Sequence, residues 1–301
     1  MLTNLLVSAI LCSAAAVSAI PFGNQKRSGV TPVPASVETS YTPYENFAAA
    51  AYCINSGTWA ACGATCAANP NFVLHAVGGD GDATPHWYVG WSSALSSIVI
   101  AHEGTDPTEF LSLLDDAEIL TTQPPTSLFP GIPSTVYVHS GFLSTFESSL
   151  AAILTEVKAL VTSYATTTVT VVGHSLGGAI ANLEGVSLKL LIPTLTVKII
   201  TFGEPRVGNP AWADYLNAYD ITRITHNYDP IPIVPGRALG FQQPDGEIHI
   251  DDNDVWNYCA GEDNTDVECS TGATPNIFVS DILDHLGPYG PSQVWMGTIY
   301  C

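Results

Sequence analysis

Residues 166–178 read TTTVTVVGHSLGG, an alternating Thr/Val run that delivers one serine into a set of glycines. Gly173, Ser175 and Gly177 spell G-x-S-x-G. In that pattern the serine occupies a strained strand-to-helix corner, and its neighbours must be small because two backbones nearly touch. A serine hydroxyl is a poor nucleophile at neutral pH until a base takes its proton. The base in turn needs an acid that fixes its tautomer and stabilises the imidazolium. The chemistry on offer is acyl transfer to Ser175. Leu176 follows at once, and its amide lies at the positive end of the next helix, where an oxyanion would form.

Chain order narrows the partners, because in sheets built around such a corner the serine is followed by Asp or Glu and then by His. Downstream of Ser175 the histidines are His226, His249 and His285. Asp229 is the preferred acid. It lies in Asn227-Tyr228-Asp229-Pro230, where Pro230 forbids strand continuation and leaves the carboxylate at a strand end. The rival reading is an acidic turn residue that caps its own backbone. His285, near the C-terminus, is the preferred base. His226 precedes Asp229, and His249 in Glu247-Ile248-His249-Ile250 reads as a strand residue facing a neighbour. Asp281 and Asp284 are close to His285 along the chain. These remain the alternatives.

The elements that would position these groups follow from periodicity. Residues 166–172 suit a buried strand, and Leu176, Ala179, Ile180, Leu183, Val186 and Leu190 recur at helical spacing after it. Further strands are expected at residues 87–91, 97–102, 135–139, 195–202 and 221–226. A long amphipathic helix is traced by Phe142, Phe146, Leu150, Ile153, Val157 and Leu160. A short helix is expected at 212–219. Thr42-Pro43-Tyr44-Glu45 reads as a helix start, with Thr42 as N-cap, Pro43 at N1 and Glu45 closing a capping box. Strands alternating with helices predict a mainly parallel sheet covered on both faces, with the site at the carboxyl ends of its strands.

The 301 residues show no internal repeat and no linker, so residues 28–301 are expected to form one domain. An apolar run at 5–17, followed by Val17-Ser18-Ala19, reads as a secretory signal peptide over 1–19, too short to span a bilayer as a helix. Lys26-Arg27 reads as a dibasic site closing a propeptide over 20–27. The mature chain is expected to be secreted, with no integral membrane segment. Cys12 lies in the signal segment, and the remaining Cys53, Cys62, Cys66, Cys259, Cys269 and Cys301 are an even set, as disulfides in an exported chain require. Cys62-x-x-x-Cys66 has no matching Cys/His pair at zinc spacing, so no metal is expected, and no cofactor. The net charge is −20, which disfavours nucleic acid and anionic membranes as partners.

Several blocks in order resemble the class 3 lipases, the fungal family of triacylglycerol lipases and feruloyl esterases with an α/β-hydrolase fold. GHSLGG at 173–178 is similar to the family's serine corner, and FGEPRVG at 202–208 to the block after it. NYDPIPIVP at 227–235 is similar to the segment that carries the family's catalytic Asp, and Asp284-His285-Leu286 to the one that carries its His. HSGF at 139–142 resembles another recurrent stretch. The resemblance spans nearly all of residues 40–301. It implies a single α/β-hydrolase domain with a Ser175–Asp229–His285 triad and an oxyanion hole formed by Thr105 and Leu176. Many relatives carry Arg before the Gly of that loop, whereas this chain has Glu103. The resemblance further implies disulfides Cys53–Cys301, Cys62–Cys66 and Cys259–Cys269. It also implies a short lid over 106–116, with Phe110, Leu111, Leu113 and Leu114 as its apolar face.

The expected function is hydrolysis of carboxylic esters through an acyl-enzyme, with triacylglycerol lipase first and feruloyl esterase or general carboxylesterase as the alternative. An apolar lid face favours the former. A catalytically inactive binding protein of the same fold is the rival from another class, and it would lack a triad member. A serine peptidase shares the triad logic, but the blocks do not favour it. The expected partner is a neutral ester at a lipid–water interface, met by a monomer.

Overall fold

A computed structural model describes residues 29–54, 57–107, 110 and 120–301. The signal, propeptide and Lys26-Arg27 expectations lie outside the described residues. Nine strands form one sheet: β1 (Val30–Pro32), β2 (Phe72–Gly78), β3 (Trp87–Ser92), β4 (Ser97–His102), β7 (Thr168–His174), β8 (Thr196–Phe202), β9 (Asp220–His226), β10 (Glu247–Ile250) and β11 (Trp256–Cys259). The short pair β5 (Thr121–Thr122) and β6 (Val138–His139) stands apart. The spatial order is β1-β11-β10-β9-β8-β7-β4-β3-β2. Neighbours from β4 through β10 pair in parallel, and both edges are antiparallel. The sheet is therefore parallel at its centre and mixed overall.

Both faces are covered, so the inner strands are apolar on both sides, as parallel strands must be. Along β4, Ile98 and Ile100 face one core, and Val99 and Ala101 the other. The first core receives the two long helices α3 (Ser140–Ser163) and α4 (Leu176–Leu191) through Phe142, Phe146, Ile153, Ile180 and Leu183. The second receives α1 (Ala35–Cys53) through Phe47, Ala48 and Tyr52. Shorter helices are α2 (Gly63–Ala67), α5 (Pro210–Leu216), α6 (Ser270–Ala273) and α7 (Leu283–Leu286). Disulfides join Cys53 to Cys301, Cys62 to Cys66 and Cys259 to Cys269.

Three local expectations are corrected. Thr42 is not an N-cap: α1 begins at Ala35, after Pro34, and runs through Pro43. Pro43 can offer no donor to the Thr39 carbonyl, but Thr39 is exposed and water can take the amide's place. Glu45 closes no capping box and is instead wholly buried. The strand expected at 135–139 shrinks to Val138–His139, because Val136 donates back to the Pro133 carbonyl in a turn. The helix expected at 212–219 is Pro210–Leu216, with Asn209 as its N-cap accepting from the Trp212 amide.

Candidate active site

Ser175 ends β7 and starts α4 with φ 58° and ψ −128°, a left-handed backbone that a non-glycine residue adopts at a cost. The surrounding glycines explain how the chain tolerates it. A Cβ on Gly173 would overlap the Gly177 carbonyl, and one on Gly177 would overlap the carbonyls of His102 and Glu103. The Ser175 amide donates to the Phe202 carbonyl at 2.9 Å, which ties the corner to the end of β8.

Asp229 and His285 meet although 56 residues separate them: His285 Nδ1 lies 2.8 Å from Asp229 Oδ2. The other carboxylate oxygen, Oδ1, accepts from the Ile231 amide at 2.8 Å. Burial pushes the Asp229 carboxyl up, while the Ile231 amide and nearby His226 act in the opposite direction. Burial also lowers His285 to about 3, so its imidazole is neutral at physiological pH, as a base must be. With Nδ1–H given to the carboxylate, the lone pair is on Nε2. His285 Nε2 and Ser175 Oγ are both buried and make no hydrogen bond among the described residues. The His285 ring lies against Gly203, where a Cβ would come within 2.8 Å of Nδ1. It also lies 4.4 Å, centroid to centroid, from the ring of His174, the residue preceding Ser175.

The alternative residues make other contacts. His226 Nδ1 donates to the Asp284 carbonyl at 2.8 Å. The Asp284 carboxylate accepts from Asn227 Nδ2 and the Tyr228 amide, both at 3.1 Å. Asp281 accepts from the Leu283 amide. His249 meets the Thr225 hydroxyl at 2.9 Å, as a strand residue facing its neighbour should.

Thr105 follows β4 and lines an apolar cavity of about 170 Å³ with Pro107, Ile282, Leu286 and Ile299. Gly104 before it is forced by crowding: a Cβ there would overlap the Tyr52 hydroxyl and lie 2.8 Å from Ser175 Cβ. The loop thus runs directly beside the serine. Glu103 does not expose its charge in place of an arginine. Its Oε2 accepts from the His86 amide at 2.8 Å, while its own amide donates to the His86 carbonyl. Below it, His102 pairs with buried Glu184 of α4. Of the residues expected in a lid, Leu111, Leu113 and Leu114 lie outside the described residues. Phe110 is buried and stacks on Phe142 at 5.9 Å. A larger groove of about 820 Å³ opens where β8 and β9 begin, at Thr196 and Asp220, the end of the sheet remote from Ser175.

Sequence reasoning missed what supports the site. Glu204 is buried, accepts from Asn182 Nδ2 at 2.6 Å and from the Thr201 hydroxyl, and is raised to about 7 by burial. Arg206 is paired with buried Asp263 at 2.7 Å. The 202–208 block was the available signal. Tyr52 and Tyr289 carried none beyond being aromatic.

A mixed sheet with a serine corner at the end of β7, an aspartate just past the end of β9 and its bonded histidine on the helical turn α7 defines an α/β-hydrolase fold. Residues 99–239 match the family model described as Lipase (class 3). A secreted mono- and diacylglycerol lipase of Malassezia globosa is 27% identical over 222 residues, 72% of this chain and 69% of that protein. Lipase II of Rhizopus niveus superimposes with a TM-score of 0.77 at 28% identity, covering 89% of this chain and 99% of that one. A triacylglycerol lipase whose catalytic centre is described as a serine protease triad superimposes with a TM-score of 0.75 at 26% identity, covering 87% and 97%. These matches support placing the chain in the class 3 lipase family. In several other relatives the matched stretch spans only 32% to 39% of their length.

Proposed function

We propose that this chain is a secreted, monomeric serine hydrolase that cleaves carboxylic esters of acylglycerols, with triacylglycerol as substrate. One observation carries the reading: the buried, neutral His285 imidazole lies 2.8 Å from the buried Asp229 carboxylate, with its ring centroid 4.4 Å from that of His174, the residue before the corner serine. Ser175 Oγ attacks the ester carbonyl carbon and its proton passes to His285 Nε2. Asp229 holds the resulting imidazolium. The Leu176 and Thr105 amides receive the oxyanion, and losing one such donor typically costs ~100- to 1000-fold in kcat. Collapse of the tetrahedral species breaks the ester C–O bond, and the alcohol leaves with the proton from Nε2. Water then repeats the sequence on the acyl-enzyme and releases the acid.

The apolar cavity beside Thr105 suits an acyl chain. An interface suits the surroundings. Leu283 and Ile299, which line that cavity, are exposed hydrophobics, and so are Ile277, Phe278 at 91% and Val279 a few residues before Leu283 along the chain. Ser175 and His285 are each 0% exposed, so a substrate reaches them only after a neighbouring segment moves. Among the described residues no helix is long and apolar enough to cross a membrane. The relatives named as secreted and the three disulfides support export. Tributyrin, triolein and methyl ferulate, each assayed below and above its solubility limit, test the substrate class. Faster turnover of the glycerides, rising past the solubility limit, is expected. Turnover of methyl ferulate alone would overturn the acylglycerol assignment in favour of a feruloyl esterase.

A further inference from the structure

His285 stands on α7, a single helical turn of four residues, Leu283–Leu286. One turn has almost no stability of its own, because nucleation costs more than a single hydrogen bond returns. Three of its carbonyls are taken by groups from outside. The Asp284 carbonyl accepts from His226 Nδ1, and the Leu286 carbonyl from the Met296 amide. The His285 carbonyl accepts twice, from His174 Nε2 at 2.8 Å and from the Tyr289 hydroxyl at 3.1 Å.

The proton positions behind the His174 bond are fixed by chemistry. A carbonyl can only accept, so His174 Nε2 carries the hydrogen. Burial holds His174 well below the usual histidine range. The ring is therefore neutral, and Nδ1 is a lone pair that must accept. Its partner is the Tyr52 hydroxyl at 2.6 Å. That hydroxyl also packs against the Gly104 backbone of the oxyanion loop and lines the cavity beside Thr105. A single chain of contacts thus runs from the Thr105 loop through Tyr52 and His174 to the main chain of His285. His174 is also the residue next to Ser175.

We propose that Tyr52 and His174 are positioning residues that lock the oxyanion loop, the serine corner and the His285 turn into one geometry. Neither takes part in the bond changes. Tyr52 borders the cavity beside Thr105, but the role of both residues is to set where Nε2 and the Thr105 amide stand relative to Ser175 Oγ, and a misplacement of about 1 Å can cost ~100-fold. The proposal rests on the ester-hydrolase reading above for its kinetic readout.

The test uses the full secreted protein with Tyr52→Phe, His174→Gln and His174→Leu. Gln retains an amide donor towards the His285 carbonyl and Leu does not. Sites are counted by covalent titration with a fluorophosphonate, and kcat and KM for p-nitrophenyl butyrate are given per titrated site. Tyr52→Phe is expected to lower kcat ~10-fold or more with KM within about 2-fold. His174→Gln should keep ~10-fold more kcat than His174→Leu. Unchanged kcat per titrated site in Tyr52→Phe, whatever happens to its melting temperature, would mean a merely structural bond and overturn the proposal. Equal losses in the two His174 variants would do the same. If the His174 variants do not fold, Tyr52→Phe decides alone.

A wild type inert towards the ester would sink the hydrolase reading and leave the clamp to ¹⁵N-histidine NMR. There His174 should show a protonated Nε2, and the His285 ring signals should shift in Tyr52→Phe. Unmoved His285 signals overturn the clamp.

Discussion

Glu45 offers a test of the physics independent of catalysis. Its carboxyl is 0% exposed, neither oxygen has a hydrogen-bond partner among the described residues, and it lies against the Gly290 backbone shortly after the His285 turn. Burial raises its pKa from 4.5 to about 8. A carboxyl whose folded-state pKa lies above its unfolded value binds its proton more tightly when folded. Its contribution is full below about pH 4.5, declines as pH rises, and is gone once pH passes about 8. At ~1.4 kcal/mol per unit, the swing is at most roughly 5 kcal/mol. For a domain of this size that corresponds to about 10 °C in melting temperature. Glu45→Gln keeps the shape and cannot ionise, so its melting curve lacks this component. Thermal unfolding of both proteins from pH 4.5 to 9 is the assay. The variant should gain on the wild type steadily across that window and overtake any fixed cost of the amide at the alkaline end. Two melting curves that run parallel across the range would refute the argument that a lone buried carboxyl is protonated here.

Three further outcomes are expected. Asp229→Asn should lower kcat by ~10⁴, because an amide facing Nδ1 favours the tautomer with the hydrogen on Nε2; kinetics with p-nitrophenyl butyrate measure it. Gly104→Ala should lower kcat at least ~100-fold, since its methyl would overlap the Tyr52 hydroxyl and crowd Ser175 Cβ at 2.8 Å; the assay is kcat on the same ester alongside circular dichroism. Phe278→Ser should leave hydrolysis of the soluble ester within about 2-fold and slow that of a triolein emulsion several-fold, if the exposed ring docks on lipid; equal rates on emulsion would remove Phe278 from that role.

What the sequence disclosed depended on whether a local rule and the tertiary fold agreed. Gly173, Ser175 and Gly177 stand out because the crowding that demands glycine is written into five consecutive positions. The helix Ser140–Ser163 was legible because one face meets the core along its whole length. Thr42-Pro43-Tyr44-Glu45 misled because a capping box is a local signal. Here Glu45 is pulled into the core by the Gly290 turn, which lies far along the chain. The strands Phe72–Gly78 and Trp256–Cys259 lacked a clean alternation, since they lie towards the antiparallel edges where burial varies. Chain order singled out Asp229 and His285, which lie 2.8 Å apart, but the contacts that hold His285 were not legible. Tyr52 and His174 act on a main-chain carbonyl, and nothing in their own neighbourhoods marks that partner.

The most direct test of the central claim is Ser175→Ala in the otherwise intact protein. Circular dichroism and melting should match a folded protein, fluorophosphonate labelling should vanish, and ester hydrolysis should fall by ~10⁴ or more. A folded Ser175→Ala variant that still turns over p-nitrophenyl butyrate at the wild-type rate would contradict the account.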